Sequence, residues 1–158
     1  MKLAKGTRRG LLVTHIVAAG TWIGMDVVMG VLVFTALSDR DLLAANINAL
    51  AQFAVWPLLT AGLVCLVSGV LLGLGTRYGL VRYWWVAVKL ALNVVLCTLV
   101  LFSLRPGVEE AVATGQPGDS MAFPPIVSTT ALLFATFLSV YKPWGRVRKR
   151  TYAAVVES

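Results

Sequence analysis

The first apolar segment of the chain carries three residues whose types and spacing could do chemistry. It runs from Leu11 to Leu37 and contains His15, Trp22 and Asp26. At about 100° per residue, Trp22 and Asp26 lie roughly 20° to either side of His15 on a helix, so the three form one stripe. A neutral imidazole can ligate a metal, and His15 is the only histidine in the chain. The stripe therefore marks a candidate ligand or metal site, although a lone histidine is more often structural.

Asp26 is energetically costly at this position, close to the middle of a segment long enough to cross a bilayer. A charged residue there costs at least about 2.5–3.5 kcal/mol on insertion scales, so it normally faces the bundle interior and has a function. At a rise of about 1.5 Å per residue it lies roughly 16 Å from His15, too far for a catalytic pair. We expect Asp26 to be protonated or to accept a hydrogen bond from a donor such as Thr60, Ser68 or Thr136.

The composition identifies the kind of fold that must position these residues. Of 158 residues, 58% are hydrophobic and 13% charged, whereas soluble domains carry about 25% charged residues. The mean hydropathy is +0.82. We predict one integral membrane domain over residues 1–158, an all-α, four-span antiparallel helical bundle. The predicted spans are roughly 11–37, 52–75, 84–104 and 126–144.

The distribution of basic residues predicts the orientation. Lys and Arg number 14, with four before the first span and five from the end of the last span onward, at 142–150. The turn at 76–83 is also basic, whereas the first and third loops each hold one Arg among acidic residues. By the positive-inside rule, both termini face the cytoplasm of a bacterial cytoplasmic (inner) membrane. The net charge of +7 then reflects topology, and a nucleic-acid partner is not expected.

Lys89 and Asn93 form a second polar pair, one helical turn apart in the third span. Lys89 either snorkels, with its stem in lipid and its ammonium at the surface, or faces the bundle interior, which Asn93 favours. The predicted orientation gives His15 and Lys89 a similar depth. Because neighbouring helix axes are about 8–10 Å apart, we expect their polar ends within roughly 10 Å, in one cytoplasm-proximal cavity. Trp22 is expected to form its deeper wall.

Small residues predict where helices approach each other closely. Gly20 and Gly24 form a small-xxx-small pair on the first span, which favours close contact with a neighbouring helix. Small residues also recur at every fourth position of the second span and predict a similar ridge, for which packing is the favoured interpretation. They are Ala61, Cys65, Gly69 and Gly73.

The connections between spans carry turn signals. Residues 42–51 are predicted to form a short amphipathic helix near the membrane interface. The Arg-Pro-Gly run at 105–107 is predicted to end the third helix, because proline interrupts helical hydrogen bonding. An acidic, irregular loop is expected from there to Pro125.

Two motifs together resemble known families. They are His15 followed by Trp22 with Gly20 and Gly24, and the segment YWWVAVKLALNVVL of the third span. Over nearly its whole length, the chain resembles an uncharacterised family of small bacterial integral membrane proteins, catalogued as a domain of unknown function. More distantly the two motifs are similar to HemJ-type protoporphyrinogen oxidases and CopD-like membrane domains. In the HemJ-type family a first-span histidine and a later lysine are the functional pair and haem b is associated; the resemblance implies these roles for His15 and Lys89.

Three classes of function follow from these patterns. As a binding protein, the chain would hold haem, a quinone or a similar flat apolar ligand between spans one and three, near His15, Trp22, Lys89 and Asn93, with His15 the candidate metal ligand. As an enzyme, it would be a HemJ-like porphyrinogen oxidase. As an accessory protein, it would pack through its small-residue ridges in a homo-oligomer or a larger membrane complex.

Overall fold

The structure is a computed structural model that describes residues 3–75 and 83–141. These residues are almost entirely helical. In chain order the α-helices are α1 (Lys5–Ser38), α2 (Leu43–Phe53), α3 (Trp56–Gly75), α4 (Trp84–Leu99), α5 (Arg105–Thr114) and α6 (Phe123–Tyr141). A π-helical turn over Val100–Leu104 joins α4 to α5, and a 3₁₀ turn over Asp119–Ala122 precedes α6.

Four helical stretches are long and apolar enough to cross a membrane. They are α1, the pair α2–α3, the run from α4 to α5, and α6. The predicted first span lies within α1, the second matches α3, and the fourth matches α6 up to Tyr141, its last three residues lying outside the described part of the chain. The chain therefore has the helices of a multi-pass membrane protein, as its composition predicts.

The third span differs from its prediction. The helix does not end at the Arg-Pro-Gly run but continues through the π-helical turn into α5, where the Arg105 N–H donates to the Val100 carbonyl. Pro106, which has no amide hydrogen, lies in the first turn of α5 directly after the π-helical turn, so the change of hydrogen-bond register falls just before it. The expected irregular acidic loop is thus largely helical, with a 2.8 Å ion pair between Arg105 and Glu109. Gly115, with φ of 69°, ends it.

The predicted short helix after the first span is confirmed as α2. It packs against α1 and α5. Asn46, Ile47 and Leu50 are its buried residues, and the Asn46 Nδ2 donates to the Thr35 Oγ1 at 2.8 Å. This bond satisfies a polar side chain that would otherwise be costly to bury.

Helix α1 is the central element of the bundle, because it contacts α2, α3 and α6. Its buried residues recur every three to four positions, from Ala18 through Trp22, Asp26 and Met29 to Val33. This face is the helical stripe predicted from the sequence. It places polar residues of α1 against different neighbours at different heights.

Candidate ligand-binding cavity

A cavity of about 370 Å³ lies between α1, α3, α4 and α6. Ligand pockets commonly measure about 300–1,000 Å³, so this one suits a small ligand. Its polar lining brings together three of the predicted site residues, His15, Lys89 and Asn93. Its lining also includes Ile16, Ala19, Gly20, Ile23, Cys65, Gly69, Val86, Leu90, Leu132, Thr136 and Ser139.

His15 is held against α3 by its Nδ1 atom. This nitrogen lies 2.9 Å from the Cys65 carbonyl oxygen and 3.0 Å from the Ser68 Oγ. Because a carbonyl oxygen can only accept, Nδ1 carries the proton and donates it. The Ser68 hydroxyl donates to the Val64 carbonyl at 2.6 Å, so it meets Nδ1 as an acceptor. In the neutral ring, Nε2 keeps the lone pair that can accept a proton or bind a metal.

Gly69 permits this close approach of the imidazole to α3. A Cβ atom at position 69 would lie 3.1 Å from the His15 Cε1 and 3.5 Å from Nδ1. The small residue predicted for helix packing thus also makes room for the histidine. By contrast, a Cβ atom at Gly20 or Gly24 would meet nothing within 4 Å among the described residues, so the predicted close helix approach at that pair is wrong within this chain.

Replacing Gly69 with alanine should displace the imidazole. Glycine-to-alanine changes in a helix interior normally gain about 0.5–1 kcal/mol, and we expect that gain for Gly24→Ala, the matched control. In Gly69→Ala the contact with His15 should offset it and lengthen the bond to Cys65. The ¹⁵N shifts of the single imidazole report this movement. Identical imidazole shifts in wild type and Gly69→Ala would contradict the packing of His15 on α3.

Lys89 reaches the cavity from α4. Its Nζ donates to the Ser139 Oγ of α6 at 2.8 Å and lies 5.0 Å from the centroid of the Trp85 ring. Of the two predicted arrangements, the one in which Lys89 faces the bundle is therefore the one observed. An ammonium held in this way gives the cavity a localised positive charge, which favours an electron-rich group on a ligand.

Asn93 lies one turn further along α4 and also lines the cavity. Its Oδ1 accepts a long hydrogen bond of 3.6 Å from the Cys97 Sγ. This contact orients the amide from within α4. Together, Asn93 and Lys89 make the α4 wall of this mostly apolar cavity polar.

Trp22 does not form the deeper wall that the sequence predicts, because it is not among the residues that line the cavity. Its side chain is fully buried. A Cβ atom at Gly62 would lie 2.7 Å from the Trp22 Cζ3 and 3.0 Å from the Cys97 Sγ. The indole is therefore packed against α3 at Gly62, as part of the core.

Asp26 is buried inside the bundle, as predicted, but its partner is different. Its Oδ2 accepts a 2.5 Å hydrogen bond from the Ser128 Oγ of α6. The three donors proposed from the sequence are wrong: Ser68 contacts His15, while Thr60 and Thr136 donate to carbonyls of their own helices. The reason is that α6 packs beside α1 at this height, which a single sequence does not specify.

Within the described residues, no three or more His, Cys, Asp or Glu side chains lie close enough together to hold a metal ion. His15 thus contributes to a candidate metal site without a cluster of protein ligands of these types. The role of His15 as a metal ligand remains a prediction.

Comparisons with known proteins add no functional assignment. No known family, curated protein or solved structure matches this chain. The four long apolar helices and the polar-edged cavity between them therefore define its class: a multi-pass helical membrane protein with an internal candidate binding site.

Proposed function

We propose that this protein binds a small, flat and mostly apolar molecule of the quinone class in the cavity between α1 and α4. The observation that supports this proposal is that His15, Lys89 and Asn93, from two helices, line one cavity whose other walls are mostly apolar. Ligand sites commonly combine apolar walls with a few convergent polar groups that fix the orientation of the ligand.

The polar groups suit the two oxidation states of a quinone. The Lys89 ammonium, already anchored on Ser139, would donate one of its hydrogens to a quinone carbonyl oxygen. The Nε2 lone pair of His15 would accept a hydrogen from a quinol hydroxyl, because Nδ1 is committed to the Cys65 carbonyl. Ile23 and Leu132 would contact the faces of the ring. A hydrogen bond to a charged donor contributes about 1.5–3 kcal/mol.

Haem b fits these residues only in part. The His15 Nε2 atom suits iron, since imidazole is a common axial ligand. The cavity volume of about 370 Å³, however, is smaller than a porphyrin with its propionates, so haem would extend beyond the cavity. An absorbance spectrum of protein purified in mild detergent provides the test, because a Soret band would replace the quinone proposal with a haem site.

A HemJ-like porphyrinogen oxidase is the second candidate, favoured by the presence of His15 and Lys89 in one cavity. It predicts that purified protein consumes protoporphyrinogen in the presence of an electron acceptor and that His15→Ala does not. An accessory role in a larger complex predicts neither binding nor turnover. The quinone titration below distinguishes this role from the primary proposal.

We further propose that the spans run antiparallel in a bacterial cytoplasmic membrane, with both termini inside, because basic residues cluster at both ends of the chain. Asp39→Cys and Glu109→Cys should then react with a membrane-impermeant maleimide added to intact spheroplasts. Both positions are exposed, whereas the native Cys65 and Cys97 are buried and provide a quiet background. Reaction of these positions only after lysis would contradict the orientation.

Binding can be tested by titrating detergent-solubilised protein with a decyl-substituted benzoquinone and following tryptophan fluorescence. Trp85, beside Lys89, should be quenched on binding. We expect Lys89→Met to raise the Kd about tenfold or more, because a charge-assisted hydrogen bond is lost. Lys5→Met makes the same change at an exposed position near the start of α1 and should leave the Kd unchanged. Equal affinities for wild type and Lys89→Met would contradict the proposal.

A further inference from the structure

A second cavity, of about 230 Å³, lies beside Asp26. It is formed by α1, α3, α4, α6 and the π-helical turn, and it shares no lining residue with the cavity around His15. Three of its lining residues are polar, namely Asp26, Ser103 and Ser128, and the others are apolar. It is therefore a separate apolar space with a carboxyl group in its wall.

The carboxyl of Asp26 is only half satisfied. The residue is 0% exposed, and its Oδ2 accepts the hydrogen bond from Ser128. Its Oδ1 is buried and has no hydrogen-bond partner among the described residues. Buried polar atoms are nearly always paired, and leaving one unpaired costs about 1–3 kcal/mol. A binding partner for Oδ1 inside the cavity would account for this arrangement.

The π-helical turn borders the same cavity. Its residues Val100, Ser103 and Leu104 are part of the lining. π-Helical turns are rare and are frequently found at functional sites. Here the turn brings the Ser103 hydroxyl to the cavity that Asp26 lines, so that a second oxygen is available to a ligand.

Charge and access restrict the kind of ligand. Among the described residues that line this cavity, Asp26 is the only ionisable one, so a cationic ligand would supply a counter-charge that the lining lacks. Leu99, Phe123 and Val127 also belong to the lining and have outward-exposed side chains. In a membrane these side chains would contact lipid. A ligand entering there must carry an apolar body with a cationic hydrogen-bond donor.

We propose that this cavity binds a small lipophilic primary amine in its protonated form. The ammonium donates to the Ser103 hydroxyl and to the Asp26 Oδ1, which it reaches only when the side chains that now bury this oxygen move aside. The apolar body contacts Leu99, Phe123 and Val127. An alcohol of the same length supplies a hydrogen but no charge, and a carboxylate is repelled. The site does not depend on quinone binding, because the two cavities have separate linings.

The test is thermal unfolding of the detergent-solubilised protein during titration with n-octylamine. We expect a saturable rise in Tm for wild type and an apparent Kd at least about tenfold weaker for Asp26→Asn, which keeps an oxygen for Ser128 but removes the charge. The alcohol 1-octanol should give a smaller rise, and octanoate none. Partition of octylamine into micelles affects both proteins equally, so their difference reports the site.

Equal responses of wild type and Asp26→Asn, or equal responses to octylamine and 1-octanol, would overturn the proposal. If Asp26→Asn fails to fold, Val127→Trp provides the second variant. It narrows the mouth of the cavity at a residue that is 48% exposed, and it leaves the carboxyl intact. Loss of the octylamine response in Val127→Trp supports the site, and an unchanged response overturns it.

Discussion

Replacing Gly62 with alanine is expected to lower the free energy of unfolding by about 1–3 kcal/mol, the usual cost of overpacking a filled core. The added methyl carbon would lie 2.7 and 2.8 Å from two ring atoms of Trp22 and 3.0 Å from the Cys97 Sγ. The indole is 0% exposed and rigid, so it can move only if α1 shifts away from α3. Equilibrium unfolding in mixed detergent measures the loss.

Gly24→Ala is the matched control for this experiment. It makes the same change on α1 where an added Cβ atom meets nothing within 4 Å, and it should gain about 0.5–1 kcal/mol from helix propensity. Trp22→Phe should recover part of the loss when combined with Gly62→Ala, because a smaller ring leaves room for the methyl group. Equal stabilities of Gly62→Ala and Gly24→Ala would contradict the packing of Trp22 against α3.

Ser128→Val is expected to lower the free energy of unfolding by about 1–3 kcal/mol. Its hydroxyl makes the only hydrogen bond to the buried Asp26 carboxyl among the described residues. Removing one partner of a buried pair leaves the other with the full cost of desolvation. Asp26→Asn should be tolerated, because the amide oxygen can still accept from Ser128. Asp26→Leu should be destabilising, because the Ser128 hydroxyl then loses its acceptor.

Two comparisons separate the loss of this buried bond from the loss of any hydroxyl. Thr130→Val removes a hydroxyl from the exposed side of α6, where it donates only to the Ile126 carbonyl, and should change stability little. The double variant Asp26→Leu/Ser128→Val should recover stability, since replacing both partners with apolar groups is nearly neutral. If Asp26→Leu alone stabilised the protein, Asp26 would face lipid and the interior site would be wrong.

The sequence predicts the first, second and fourth spans well, because apolar length is a property of a single helix. That His15, Lys89 and Asn93 line one cavity also requires α1 and α4 to border the same space. Apolar length specifies which segments can cross a membrane, and position along the segment specifies depth. Trp22 and Asp26 lie on the same stripe as His15, but α1 has different neighbours along its length. His15 and Trp22 contact α3, whereas Asp26 accepts a hydrogen bond from α6. Helical periodicity specifies the face of a helix and not the neighbour that covers it.

The π-helical turn and α5 could not be predicted for a different reason. The Arg-Pro-Gly run after Leu104 carries the local signals of a helix end. A π turn accommodates the proline by changing the hydrogen-bond register just before it. In this register the Arg105 amide donates to the Val100 carbonyl. That change is stabilised by burial of Val100, Leu104 and Val108 in the core, which is a tertiary effect.

Quinone binding in the cavity around His15 and Lys89 is tested most directly by photolabelling with an azido-substituted benzoquinone, followed by peptide mapping. Quinone binding in this cavity should place label on residues 16–23 of α1 and 86–93 of α4, which border the cavity with His15 and Lys89. An excess of unlabelled quinone should abolish this label. Label confined to the more open groove that includes Val13, Trp56 and Val64, or label that unlabelled quinone does not displace, would contradict quinone binding in the cavity around His15.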